Sequence, residues 1–146
     1  MAVQNRLATT DRLASWGMQV DTLCQLCNAG VDENHKHLFF ECTYSTFIWK
    51  KLLHWMGINR QIDCWENEVA WLARRMQSKS SKWHMVGFVF AVAVYHIWAE
   101  RNARKFQQVN RSNADRTKEI ALQLHIAGRS QVKWFQTLLS LNSYPC

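Results

Sequence analysis

Cys24-Gln25-Leu26-Cys27 and His37-Leu38-Phe39-Phe40-Glu41-Cys42 put four metal-ligand side chains inside nineteen residues, in the order C-x2-C-x9-H-x4-C. Three thiolates and one imidazole are the set that fills a tetrahedral Zn²⁺ shell. The close Cys24/Cys27 pair lets one tight turn supply two ligands, and His37 and Cys42 close the other half from the start of a helical segment. A filled shell leaves no position for water or substrate, so the Zn²⁺ implied here is structural and not catalytic. His35 competes with His37 as the imidazole ligand, and the alternative to a metal site is a set of ordinary buried Cys and His side chains.

Working outward, the pattern is mainly helical: a small zinc-knuckle-like Cys3His lobe followed by a helical bundle. A short helix covers Asp11 to Trp16, with Thr10-Asp11 as its N-cap. Val20 to Glu33 is rich in turns, and short strands flanking the zinc turn fit this stretch. Tyr44, Phe47, Ile48, Leu52 and Trp55 share one helical face, which Gly57 terminates. Trp65, Val69, Leu72 and Met76 mark a second amphipathic helix ending near Gln77, and Ser78–Ser81 reads as a loop. The longest helix runs from Lys82 to Gln108, apolar nearly all round in its first half and therefore expected in the core. The tail from Lys118 to Leu141 reads as two helices broken near Gly128, although Ile120, Leu122, Leu124 and Ile126 alternate like a strand. These elements divide into a zinc module at residues 1–57 and a basic helical region at 58–146.

Composition excludes several classes. A chain of 146 residues with 48% apolar content and eight Trp supports a packed core. Seven of those Trp (49, 55, 65, 71, 83, 98 and 134) lie in apolar helical patterns and read as core, leaving Trp16 for an outer surface beside the zinc turn. Five Cys, three of them in C-x2-C-x9-H-x4-C order with His37, point to a reducing, intracellular setting; Cys64 and Cys146 are left as free thiols. The first twenty residues lack a continuous apolar run, which argues against a secretory signal; their scarcity of acidic residues leaves organellar targeting open. Met85 to Tyr95 is too short to span a bilayer of ~30 Å, so a buried helix is expected and not a membrane span.

Charge is unevenly placed. Residues 1–68 hold six Lys/Arg against eight Asp/Glu, a net of −2, whereas residues 69–146 hold twelve against three, a net of +9. Such asymmetry calls for an anionic partner, most commonly nucleic acid, the alternative being a solvated basic surface. Arg101, Arg104 and Lys105, at i, i+3 and i+4 of the long helix, are the first choices for phosphate contacts, followed by Arg74, Arg75, Arg111 and Arg116. An alternative reading ties Glu100-Arg101 into a structural salt bridge.

Two blocks of sequence resemble a known family. Leu7-Ala8-Thr9-Thr10-Asp11-Arg12-Leu13 with Trp16-Gly17, then the Cys24–Cys27 pair and the His37–Cys42 run with Ser45 and Ile48-Trp49, resemble the zinc-binding domain of plant LINE-type reverse transcriptases. Ile97-Trp98-Ala99-Glu100-Arg101-Asn102-Ala103-Arg104-Lys105-Phe106 is similar to the segment that often follows it. The resemblance implies Zn²⁺ on Cys24, Cys27, His37 and Cys42, and favours His37 over His35. Family members carry more chain before the Leu-x-Thr segment, so a shortened N-terminal edge is expected here. The family includes a polymerase, but the chain has no paired-Asp turn, phosphate-cradling Gly-rich loop or nucleophile elbow, so no enzyme is expected. The implied activity is a grip on RNA or DNA with weak sequence preference, suited to the nucleus. A protein partner held on an apolar aromatic face is the alternative.

Overall fold

The computed structural model describes residues 2 and 4–141; Cys146 lies outside them. Six α-helices follow in order: α1 Thr10–Ser15, α2 Thr43–Trp55, α3 Trp65–Met76, α4 Ser81–Phe106, α5 Asn113–Gly128 and α6 Phe135–Leu139. Helix α4 is the central element and packs against α2, α3 and α5, while α2 also packs against α5. Its buried positions Met85, Val86, Val89, Phe90, Ala93 and Ile97 carry the apolar half through the core as the pattern predicts. In α5, Ile120 and Leu124 are buried while Leu122 and Ile126 are exposed. The apparent strand alternation is thus an i, i+4 helical stripe with apolar residues on its outer side as well. None of the helices is long and apolar enough to cross a membrane, among the described residues.

Local chemistry sets most boundaries. After α2, Gly57 adopts φ +75°. The Ile58 amide then donates to the Leu53 carbonyl at 2.8 Å, and the Gly57 amide to His54 at 2.9 Å. This is the left-handed stop that glycine makes without steric cost. Helix α3 carries Glu66 and Glu68 in its first turn and Arg74 and Arg75 in its last, the arrangement its dipole favours. Ser112 caps α5 by accepting from the Asp115 amide. The start of α1 differs from expectation. Thr9, not Thr10, occupies the N-cap place and makes no capping bond. The Thr10 hydroxyl is drawn away to the carbonyls of Thr22 and Glu33, both at 3.1 Å, which fixes α1 to the zinc loop. The strands expected beside the zinc turn reduce to a single antiparallel bridge, Leu23 with Asp32.

One apolar core runs from Cys24, Leu26, Leu38 and Phe39 through α2 and α4 to Leu138 and Leu141. A division at residue 57 therefore does not separate two cores. Of the seven Trp read as core, Trp49 and Trp65 are buried and the other five are half-buried, whereas Trp16 is 59% exposed.

Buried charge joins the zinc loop to α4. The Arg101 guanidinium, 1% exposed, donates to the Glu33 carboxylate from Nε at 2.9 Å and from Nη2 at 2.6 Å. Glu33 also accepts from the Thr10 amide at 3.0 Å. Removing one partner of such a pair strands the other charge in the core, at a cost of about 3–5 kcal/mol. Arg101→Met is therefore expected to lower unfolding free energy by about that amount in a urea titration, and a companion Glu33→Leu to restore most of it.

Glu100 is equally buried. It accepts from Arg104 at 2.8 Å, from Arg116 at 2.9 Å and from the Arg111 amide at 2.7 Å. Burial alone would raise its pKa, but these hydrogen bonds overcome that and hold it below the usual carboxylate value. A depressed folded pKa gives stability that is complete above the unfolded value, about 4.3, and is lost as pH falls through the lower folded value. Glu100→Gln is expected to be less stable at pH 7 and to show a flatter loss of stability below about pH 4.3, measured by chemical denaturation across pH.

Candidate metal centre

The Cys24–Cys27 turn is shaped by its backbone. The Cys24 amide donates to Val31 at 2.8 Å and the Glu33 amide to Thr22 at 2.7 Å, pinning the loop's two limbs together. Asn28, at φ +51°, and Gly30, at φ +71°, turn the chain back after the second cysteine. Asn34 starts the other half, its side-chain carbonyl accepting from the His37 amide at 2.9 Å.

Residues His37–Glu41 form a π-type turn in place of the expected ordinary helical one. The Cys42 amide reaches back five residues to the His37 carbonyl at 2.7 Å. The reason lies in ligand spacing. At about 100° per residue, positions five apart on an α-helix diverge by about 140°. The wider turn brings His37 and Cys42 round to one side.

The ligand atoms of Cys24, Cys27, His37 and Cys42 all lie within 4.8 Å of one another. Sγ of Cys24 and Sγ of Cys42 are 3.9 Å apart, and Sγ of Cys27 is 3.4 Å from Nε2 of His37. A tetrahedron with Zn–S of ~2.3 Å and Zn–N of ~2.0 Å has edges of ~3.8 and ~3.5 Å. Donor chemistry and spacing are both compatible with a structural Zn²⁺. Cys24, His37 and Cys42 are buried and Cys27 half-buried, so the centre faces inward. His35 takes no part: it is packed against Phe39 and Trp65, with Nε2 2.9 Å from the Ala2 carbonyl.

The two innermost sulfurs cannot both ionise unaided. A hydrogen bond from Cys42 lowers the Cys24 thiol to about 5, helped by the backbone amides of Leu26 and Cys27, while the same contact and burial push Cys42 up. The Tyr44 and Ser45 amides oppose that rise from the first turn of α2, favouring a Cys42 thiolate. A bound divalent cation would hold both as thiolates.

The cations chosen from the sequence fall into two groups. Arg101, Arg104 and Lys105 do share a face of α4, but it is the face docked on the zinc end. Arg101 is the buried partner of Glu33. Arg104 donates to the carbonyls of Gln25 at 3.2 Å, Leu26 at 3.1 Å and Arg111 at 3.0 Å, and lies over the Tyr44 ring. Lys105 donates to the Asp21 carbonyl at 3.1 Å. Arg116 is tied to Glu100 and Glu119, and Arg111 to Glu119. Arg101, Arg104 and Arg116 are thus engaged largely within the protein, whereas Lys105 is half-buried and Arg111 stays exposed beside Glu119. Arg74 and Arg75 remain exposed and form no ion pair among the described residues, and the same holds for Lys50 and Lys79; half-buried Lys82 also forms none.

Arg104 thus reaches both residues between the paired cysteines. Supports of this kind around metal ligands are worth roughly 10–100-fold in affinity. Metal analysis is expected to return one zinc per chain, and Arg104→Gln to weaken zinc binding by roughly 10–100-fold in competition with a chromophoric chelator. Unchanged affinity would show that the turn holds its shape without the guanidinium.

Residues 1–49 match the family described as zinc-binding in reverse transcriptase. The matched region is about a third of the chain and contains all four ligands. This end of the chain is similar to a reverse-transcriptase zinc-binding domain. No curated protein and no solved structure matches the chain.

Proposed function

We propose that this protein is a zinc-stabilised nucleic-acid-binding module, derived from a plant LINE-type retroelement and acting in the nucleus without catalysis of its own. The observation that carries the reading is the set of cations left over once the internal pairs are made. Arg74, Arg75 and Lys79 project from the corner between α3 and α4 with no acidic partner among the described residues, in a chain of net charge +7. Unpartnered arginines and lysines gain most from phosphates, releasing counterions with little base discrimination. A metal shell completed by protein ligands holds the scaffold and leaves the chemistry of binding to that surface.

Replacing Arg74, Arg75 and Lys79 together with Gln is expected to flatten the slope of log K against log salt by about 2–3, with zinc content and melting temperature unchanged. An unchanged slope would remove these residues from the interface.

A second reading has its own observation. Leu122, Ile126, Val132, Phe135 and Leu139 are exposed around an open groove of about 790 Å³ between α5 and α6. This apolar surface suits a protein partner. Association there would hardly change with salt, which separates it from phosphate binding.

A further inference from the structure

Beside α2 lies an open groove lined by Phe47, Lys50, Lys51, His54, Ile58 and Arg60. Lys51 Nζ sits 5.6 Å from the centre of the Phe47 ring. Across the groove, the Arg60 guanidinium lies 4.2 Å from the centre of Trp71. Trp71 meets Trp83 edge-on at 5.7 Å, and Trp83 in turn carries Arg75 at 5.1 Å and Lys82 at 6.0 Å. Three half-buried rings therefore alternate with cations along one path, from α2 to the corner between α3 and α4.

The path is built in advance. The Arg60 charge is committed to Glu68, a buried carboxylate that also accepts from the Trp49 indole at 2.9 Å. That anchor fixes the guanidinium over Trp71. Lys50, Arg75 and Lys82 have no ion pair among the described residues. Of the acidic side chains on neighbouring elements, Glu66 is paired with Lys36, and Asp63, before α3 and within electrostatic reach of Arg60, accepts from the Cys64 amide and Asn67.

We infer that this path is a track for single-stranded nucleic acid. The inference rests on the nucleic-acid reading above and specifies the form of the strand. A duplex hides its base faces and offers phosphates, for which the rings would have no use. A single strand offers both phosphates for the lysines and base faces for stacking on tryptophan rings and ring-backed guanidinium planes. Arg60 and Arg75, each laid against an indole, are such planes.

The test is fluorescence anisotropy of the full chain with zinc bound. The probes are a labelled oligouridylate of about twelve nucleotides, within the span of one small fold, and a duplex of equal length. The single strand is expected to bind roughly 10-fold tighter or more. Trp83→Leu and Phe47→Leu are each expected to weaken it by roughly 10-fold and to leave duplex binding within about twofold. Thermal melting checks that each variant folds. Should one fail, photo-cross-linking of 5-bromouridine to the unsubstituted protein decides, with adducts expected on Phe47, Trp71 or Trp83. Equal affinity for both forms, or adducts confined to other aromatics, would overturn the track while salt-dependent phosphate binding stands. Absence of binding to either form would overturn both readings.

Discussion

Three glutamates, Glu33, Glu68 and Glu100, have no exposed surface, and each is neutralised by arginine. The arginines come from different parts of the chain: Arg60 from the turn after α2, Arg101 and Arg104 from α4, Arg116 from α5. A buried pair adds little net stability over an apolar one, but separating its members is costly. Each pair that joins different elements, Arg101–Glu33, Arg60–Glu68 and Arg116–Glu100, therefore penalises any arrangement in which those elements are misplaced. Arg101 and Arg104 lie one turn apart on α4 and reach the zinc end, Arg101 through Glu33 and Arg104 through the Gln25 and Leu26 carbonyls. Together they set both the rotation of α4 and its position along its own axis. The described residues contain no buried side-chain polar atom lacking a hydrogen-bond partner.

Metal centre and helical core are consequently one structure. Cys24 and Cys42 belong to the same buried cluster as α2 and α4, and the carbonyls between the paired cysteines are held by a guanidinium from α4. Zinc would tie the loop to the start of α2, where Cys42 sits at the N-cap and the first amides favour its thiolate. The small loop has few apolar residues with which to hold itself, so zinc ligation would supply, with the arginine contacts, what packing does not.

The electrostatic consequence reaches beyond stability. Net charge counts every cation equally, but a guanidinium enclosed by carboxylate and carbonyl oxygens has no donors left for a phosphate. Subtracting the internal pairs moves the positive surface from the C-terminal half of α4 to the α3–α4 corner and the exposed side of α2. There the cations lie beside half-buried aromatic rings, so the same surface combines charge and stacking area.

The ligand set was legible in the sequence because Cys and His at short spacing have few other uses, and the helices were legible because 3.6-residue periodicity is a local property. Gly57 marked the end of α2 for the same reason: the φ it adopts is a property of one residue. What the sequence left open depended on partners far along the chain. His35 and His37 have equivalent chemistry; the family resemblance favours His37, and the packing of His35 against Phe39 and Trp65 shows what occupies the other imidazole. The π-type turn follows from closing a shell across His37 and Cys42, which helix propensity does not express. Above all, the spacing of Arg101, Arg104 and Lys105 shows that they share a face but not what that face meets. Glu33 lies 68 residues from Arg101, and only the folded chain brings them together. Sequence alone determined the ligands, the helices and the total charge; tertiary structure decided which charges remain for a partner, because burial and pairing are properties of contacts and not of residues.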